Sequence, residues 1–289
     1  MRSLGRTARW ISITTVLIVI ITSGAVGAGQ SSDDFVVYED WTTADHIRSD
    51  RWSQAGDVSQ DTRAELQGDH VVLRHRRQAA AATDVGIVLT NNRLLLTHPE
   101  TVDHLAAEFT VRHLALQACP ANPMPASVRA AAIDFSKFSD LDPSIPRVPG
   151  SLVGDYFARV QAVRSADSTD PEGILTVLGI IVRCNNPSCS DATTIQLTPL
   201  GQVTVGQKFE VRLIWDPVVG EFRAGLDRGA DVSLPFPASL NVREPNVRFG
   251  GARVFHRLPN CTAASGGPIE MDVETRVGTV KTNASAVIP

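Results

Sequence analysis

Glu270, Asp272 and Glu274 stand at alternate positions in Glu270-Met271-Asp272-Val273-Glu274. In an extended strand successive side chains point to opposite faces, so the three carboxylates would share one face. Paired carboxyl groups are the machinery of glycosidic acid–base chemistry, and the retaining form needs them about 5–5.5 Å apart. Residues four apart on a flat strand lie about 13 Å apart at the backbone, so Glu270 and Glu274 would have to converge. The other reading of the same segment is an acidic outer strand face, with Ile269, Met271 and Val273 packed inward.

The four cysteines, Cys119, Cys184, Cys189 and Cys261, allow three disulfide pairings. Cys184 and Cys189 flank the turn-forming Asn-Asn-Pro-Ser, and a loop that short brings two strand ends together at little entropic cost. That leaves Cys119 with Cys261. The alternative is zinc, but no histidine lies at ligand spacing. His104 and His113 fall on opposite strand faces and do not make a ligand pair. The chain has no Gly-x-Ser-x-Gly, no His-Glu-x-x-His and no phosphate loop, so the familiar hydrolase, metalloprotease and nucleotide readings lack support. Arg74-His75-Arg76-Arg77 reads as a solvated strand end. Asn260-Cys261-Thr262 and Asn283-Ala284-Ser285 are formal glycosylation sequons.

Disulfides need an oxidising compartment, and the amino terminus supplies an address for one. Arg2, Arg6 and Arg9 precede an uncharged apolar run over residues 10–22, and Val26 and Ala28 occupy the small-residue positions of a cleavage site. This is the pattern of a secretory signal peptide over residues 1–28, with an uncleaved membrane anchor as the alternative. Either places residues 29–289 outside the cytoplasm, and no later segment is apolar enough to span a membrane. Over all 289 residues 43% are hydrophobic and 20% charged, which excludes a disordered chain and leaves room for a sizeable core. Without the three leader arginines the formal charge moves from -4 to -7, the wrong sign for a general binder of nucleic acid.

The elements that must position these residues are strands. Phe209, Val211, Leu213 and Trp215 alternate with Glu210, Arg212, Ile214 and Asp216. Phe222, Ala224 and Leu226 follow the Pro217–Gly220 turn as the second arm of a hairpin. Leu105–Arg112 and Ile269–Val277 alternate in the same way, whereas Val71–Leu73, Gly86–Leu89 and Gly173–Val182 are more continuously apolar. Only Arg77–Thr83, with its alanine run, is helix-compatible. Residues 119–152, rich in proline, read as one long insertion around a strand at Val128–Phe135. Many strands with short turns specify a sandwich or barrel.

The order of features resembles the concanavalin A-like lectin/glucanase superfamily. The carrying residues are Glu39-Asp40-Trp41, Ile47–Trp52, Gln67-Gly68 with Val71-Val72-Leu73, Val205–Phe209, Leu213-Ile214-Trp215-Asp216, Phe222 with Ala224-Gly225-Leu226, and the last strand at Glu270–Val273. The resemblance covers most of residues 33–282. It implies a jelly-roll sandwich of two antiparallel sheets, one of them concave, in a single domain over residues 29–289. It also implies that Trp41 and Trp52 are core. Members include lectins, glycosidases and adhesive domains, so the fold does not settle function.

Three site expectations follow from the resemblance. Glycoside hydrolase family 16 carries Glu-x-Asp-x-(x)-Glu on one strand, with the first Glu as nucleophile and the last as acid/base. Glu270, Asp272 and Glu274 match that spacing but lie near the chain's end, whereas the family motif lies mid-chain. A structural calcium where the first and last strands meet would draw on Asp33, Asp34, Glu39, Asp40 and Asp272. Sugar binding needs aromatic platforms and polar side chains. Trp215 shares its face with core residues, leaving Tyr38 and Tyr156 as platforms, with Arg159, Gln161, Arg183, Glu210 and Arg212 lining a concave face. The reading is a secreted, non-enzymatic recognition or adhesion module for an extracellular glycan or cell-surface partner. The runner-up is a glycosidase using the acidic ladder, and the third option is an extracellular structural domain.

Overall fold

Period-two alternation becomes strands throughout the structure, a computed structural model that describes residues 35–56, 61–79 and 81–283. The signal reading over residues 1–28, and Asp33 and Asp34, lie outside the described residues. Eight strands form one sheet. Its path runs β13 (Val232–Pro235), β12 (Glu221–Leu226), β11 (Lys208–Asp216), β6 (His104–Leu116), β15 (Ile269–Thr282), β4 (His70–Ala79) and β3 (Asp61–Gln67), with β1 (Val36–Glu39) paired to β15. Seven form the other: β10 (Ala192–Thr204), β9 (Ile174–Cys184), β8 (Asp155–Ser165), β7 (Ser127–Ser139), β14 (Gly250–Pro259), β5 (Ile87–Leu96) and β2 (Trp52–Gly56). Every pairing is antiparallel. The result is the two-sheet jelly-roll sandwich expected from the sequence.

The inner faces bury one continuous apolar core. Phe209, Val211, Leu213 and Trp215 of β11 all point into it. Trp215 meets Phe138 edge-on at 4.6 Å and Phe222 at 4.9 Å. The β11–β12 hairpin closes because the Asp216 carboxylate accepts hydrogen bonds from the N–H groups of Val218 (2.9 Å) and Val219 (3.2 Å). Trp41 and Trp52 are core, stacked at 5.5 Å. Two expectations change. The described part of the stretch after Arg77 is not helical: β4 extends to Ala79, its register with β15 continuing to Ile269. The strand inside residues 119–152 is longer than Val128–Phe135, because bulges at Arg129/Ala131 and Ser136/Phe138 let the pairing of β7 with β8 run from Ser127 to Ser139. The disulfides join Cys119 to Cys261 and Cys184 to Cys189.

A polar pair is buried between the sheets. His75 of β4 sits between the hydroxyls of Thr62 (2.9 Å) and Thr90 (2.8 Å), with its ring 4.6 Å from that of His256. Neither ring nitrogen of His256 has a hydrogen-bond partner among the described residues. Burial, and then the nearby His75, push the His256 pKa well below its ordinary value. The unfolded chain takes up this proton near pH 6.5 and the folded chain resists it. The associated stability is therefore complete above that pH and declines as pH falls below it. Urea midpoints are expected to drop between pH 7.5 and 5, and His256→Leu is expected to flatten that dependence.

Candidate functional site

The acidic ladder lies on the outer face of the eight-stranded sheet, where β4 supplies its partners. Glu270, Asp272 and Glu274 stand opposite Gln78, Arg76 and Arg74 in register. Arg76 donates to both Glu270 oxygens, Nε at 2.7 Å and Nη2 at 3.0 Å, and Gln78 adds a bond of 2.7 Å. Arg74 reaches Asp272 at 3.1 Å and Asp61 of β3 at 3.4 Å. Hydrogen bonds from Arg76 and Gln78 hold the Glu270 carboxyl below the ordinary carboxylate range, and they occupy both of its oxygens. The basic run and the acidic ladder are thus the two halves of one cross-strand ion ladder. Their alternating charges, two residues apart in each segment, are the sequence signal that pairs them.

The described members of the calcium set do not converge. Glu39 pairs with Val280, so Asp272 lies eight residues further along β15, about 27 Å from Asp40. Asp40 accepts instead from the backbone and hydroxyl of Thr42, at 3.1 and 3.0 Å, and Glu39 binds Arg48. Asp40 and Asp272 cannot share an ion. Among the described residues Asp84 also clusters with Cys119 and Cys261. Those sulfurs are disulfide-bonded, and Asp84 already accepts from Thr262 and Ser265, which does not fit a metal donor set.

The residues expected to line one binding face do not share one; Glu210 is bound to Lys281 and Arg212. Tyr156 and Arg183 point inward. The Tyr156 hydroxyl donates to Asp140 at 3.0 Å, and Arg183 grips the same carboxylate at 2.6 and 3.2 Å. Burial, reinforced by Asp140, pushes the Tyr156 pKa up to about 12. Tyr156 is a core residue and not a platform, and so is Tyr38, whose hydroxyl bonds to the Arg51 carbonyl at 2.9 Å. Both rings are absorbed because their strand positions share parity with core neighbours. Arg212 lies on the outer face of the eight-stranded sheet and clamps the turn after β12, through Asp231 at 2.8 Å and the Gly229 carbonyl at 2.8 Å.

Arg159 and Gln161 alone remain together, on the outer face of the seven-stranded sheet. There they meet residues that sequence reasoning passed over. Asp134 of β7, 1% exposed, stands opposite Arg159 and accepts its Nε at 3.0 Å, and it also binds Arg253 of β14. Arg159 extends Nη1 to Gln161 at 3.4 Å. Its guanidinium lies 4.8 Å from the centre of Phe157, and that of Arg129 lies 4.5 Å from the centre of Phe255. Burial pushes Arg159 down to about 9. Burial, then Arg159 and Arg257, do the same for Arg129. Arg159 and Arg129 stay charged at neutral pH. The signal that would have found β14 is its own alternation: Gly251, Arg253, Phe255 and Arg257 outward, with Ala252, Val254, His256 and Leu258 inward.

On the central strands β8, β7 and β14, Asp134 is the one carboxylate among these arginines. Asp155 occupies the far end of β8, bonded to the N–H groups of Asn246 (2.8 Å) and Val247 (3.0 Å). It lies four residues from Arg159, the partner of Asp134, which is about 13 Å along the strand. Two clefts of about 300 and 350 Å³ lie elsewhere, one lined by Lys137, Arg243 and Arg248, the other by Arg112, His113 and Arg164. Neither includes a residue singled out above as catalytic or sugar-binding.

No protein-family model matches the chain, and no curated protein matches it. Several solved structures are similar in fold. LamAcat from Zobellia galactanivorans is 7% identical, with 87% of this chain and 98% of that one covered and a TM-score of 0.46. A glycoside hydrolase family 16 endo-glucanase from Bacteroides ovatus is 12% identical, with coverage of 84% and 98% and a TM-score of 0.42. The basic winged bean lectin with Tn-antigen is 12% identical, with coverage of 86% and 98% and a TM-score of 0.41. Fold alone does not fix an activity.

Proposed function

We propose that this chain is an exported, non-hydrolytic glycan-recognition module that binds its ligand over the outer face of the seven-stranded sheet. Export rests on the leader-like segment at residues 1–28 and agrees with two disulfides. The observation that carries the binding reading is the array Asp134–Arg159–Gln161–Arg253, each no more than 9% exposed and fixed by its own hydrogen bonds on adjacent central strands, beside the partly exposed Phe249 and Phe255. Polar groups held rigidly beside aromatic surface are what sugar recognition requires.

Hydrolysis is disfavoured by the carboxylates. Retaining and inverting enzymes need two carboxyl groups within about 5–9.5 Å. The central strand reads Ala132-Ile133-Asp134-Phe135-Ser136-Lys137, an aspartate without flanking glutamates. On the other sheet Glu270 and Asp272 are bound to arginines.

A glycan array on the folded chain tests the proposal, alongside assays on β-1,3- and β-1,4-glucans. Binding without turnover is expected, and Glu270→Gln is expected to leave both binding and the melting transition close to those of the parent. Hydrolysis abolished by Glu270→Gln in a folded variant would replace the proposal with a glycosidase.

A further inference from the structure

Several strand arginines meet carboxylates. Arg74, Arg76, Arg183, Arg212 and Arg223 each meet an Asp or Glu. The outer face of the seven-stranded sheet gathers them more densely. Arg93, Arg129, Arg159, Arg253 and Arg257 all project from it, and Asp134 binds Arg159 and Arg253. Arg253 stands opposite Arg93 in register, and Arg129 opposite Phe255.

Arg129 and Arg257 make no hydrogen bond or ion pair with a described residue. The Nε atoms of Arg129, Arg253 and Arg257 are buried without a partner, and Arg253 is only 9% exposed. Arg129 and Arg257 are half-buried, and cations held this close repel one another while their buried Nε donors go unsatisfied. An oxyanion removes both penalties at once. A guanidinium presents a planar fork of N–H donors that fits two oxygens of a carboxylate or sulfate group. Phe255 and Phe157 already hold the Arg129 and Arg159 planes in position.

We infer that this face selects an anionic glycan, one bearing carboxylate or sulfate groups, which Arg129 and Arg257 contact directly while Arg159 and Arg253, anchored by Asp134, form the layer beneath. The inference rests on the glycan-recognition reading and adds the charge of the ligand to it.

The test uses the full chain and matched probes: oligogalacturonate against neutral galactan for carboxylate, and dextran sulfate against dextran for sulfate. One charged probe is expected to bind at least about tenfold more tightly than its neutral counterpart, and to weaken as salt rises. The pair showing the preference identifies the anion. Arg129→Gln and Arg257→Gln are each expected to lose most of that preference while melting no earlier than the parent, since each removes an unmatched charge. Equal binding of charged and neutral probes overturns the inference and leaves glycan recognition standing. A charge preference untouched in both folded variants also overturns it, because the anion then binds elsewhere. Absence of binding to any glycan, charged or neutral, overturns this inference and the recognition reading together.

Discussion

Trp215→Ala is expected to lower the unfolding free energy by about 3–5 kcal/mol, as truncation of a large core aromatic does when its surroundings cannot collapse. The side chain is the hub of an aromatic cluster. It contacts Phe138 at 4.6 Å, Phe222 at 4.9 Å and Phe236 at 6.3 Å. Phe138 comes from the seven-stranded sheet and Phe222 from the eight-stranded one, so the cavity would open across the interface between layers. The backbone bond from Trp215 N–H to the Asp103 carbonyl (2.7 Å) survives the substitution, so the loss measures packing alone. Denaturant unfolding read by far-ultraviolet circular dichroism checks it. A variant that unfolds at the parent's midpoint but no longer binds ligand would make Trp215 a platform and contradict the core assignment.

The second large effect comes from the long disulfide. Chain entropy predicts that a bridge closing 142 residues contributes about 5 kcal/mol, against about 2 kcal/mol for the bridge closing 5. The Cys119–Cys261 bridge also sits in its own small apolar cluster with Ala126, Leu258, Ile269 and Met271. It ties the proline-rich stretch after β6 to the connection between β14 and β15, and those two strands belong to different sheets. The double variant Cys119→Ala/Cys261→Ala is therefore expected to lose several kcal/mol, and Cys184→Ala/Cys189→Ala markedly less. Parallel unfolding curves of the two variants check the order. A reversal would mean that the short bridge holds the β9–β10 turn in a way loop entropy does not capture.

The fold was legible wherever one strand face is apolar and the other polar. β11 and β12 show this: Phe209 to Trp215 alternate cleanly, and the turn between the strands carries its own signals. The helix-compatible alanine run was misleading because alanine is small enough for either period, and the β15 register decided the matter. The candidate site was harder to see for three physical reasons. Parity sets Tyr156, three residues from Arg159 on β8, on the opposite face, but it does not cross between strands, and only the register of β9 with β8 puts Arg183 beside Tyr156. Bulges in β7 shift parity around Asp134, inside a run of alanines that hides the alternation. The neighbours β7, β8 and β14 are far apart in the chain, and only the sheet order brings Arg253 beside Asp134. The acidic ladder was legible as an outer face, but its partner strand became visible only through register.

Hydroxyl-radical footprinting of the folded chain with and without a bound acidic oligosaccharide tests the central claim most directly. Phe249 and Phe255 are partly exposed on the outer face of the seven-stranded sheet, and protection concentrated on them is the result expected from recognition at the arginine array. Protection confined to the opposite sheet, around His113 and the ion ladder of β4 and β15, would place the ligand on the other side of the sandwich and contradict the account.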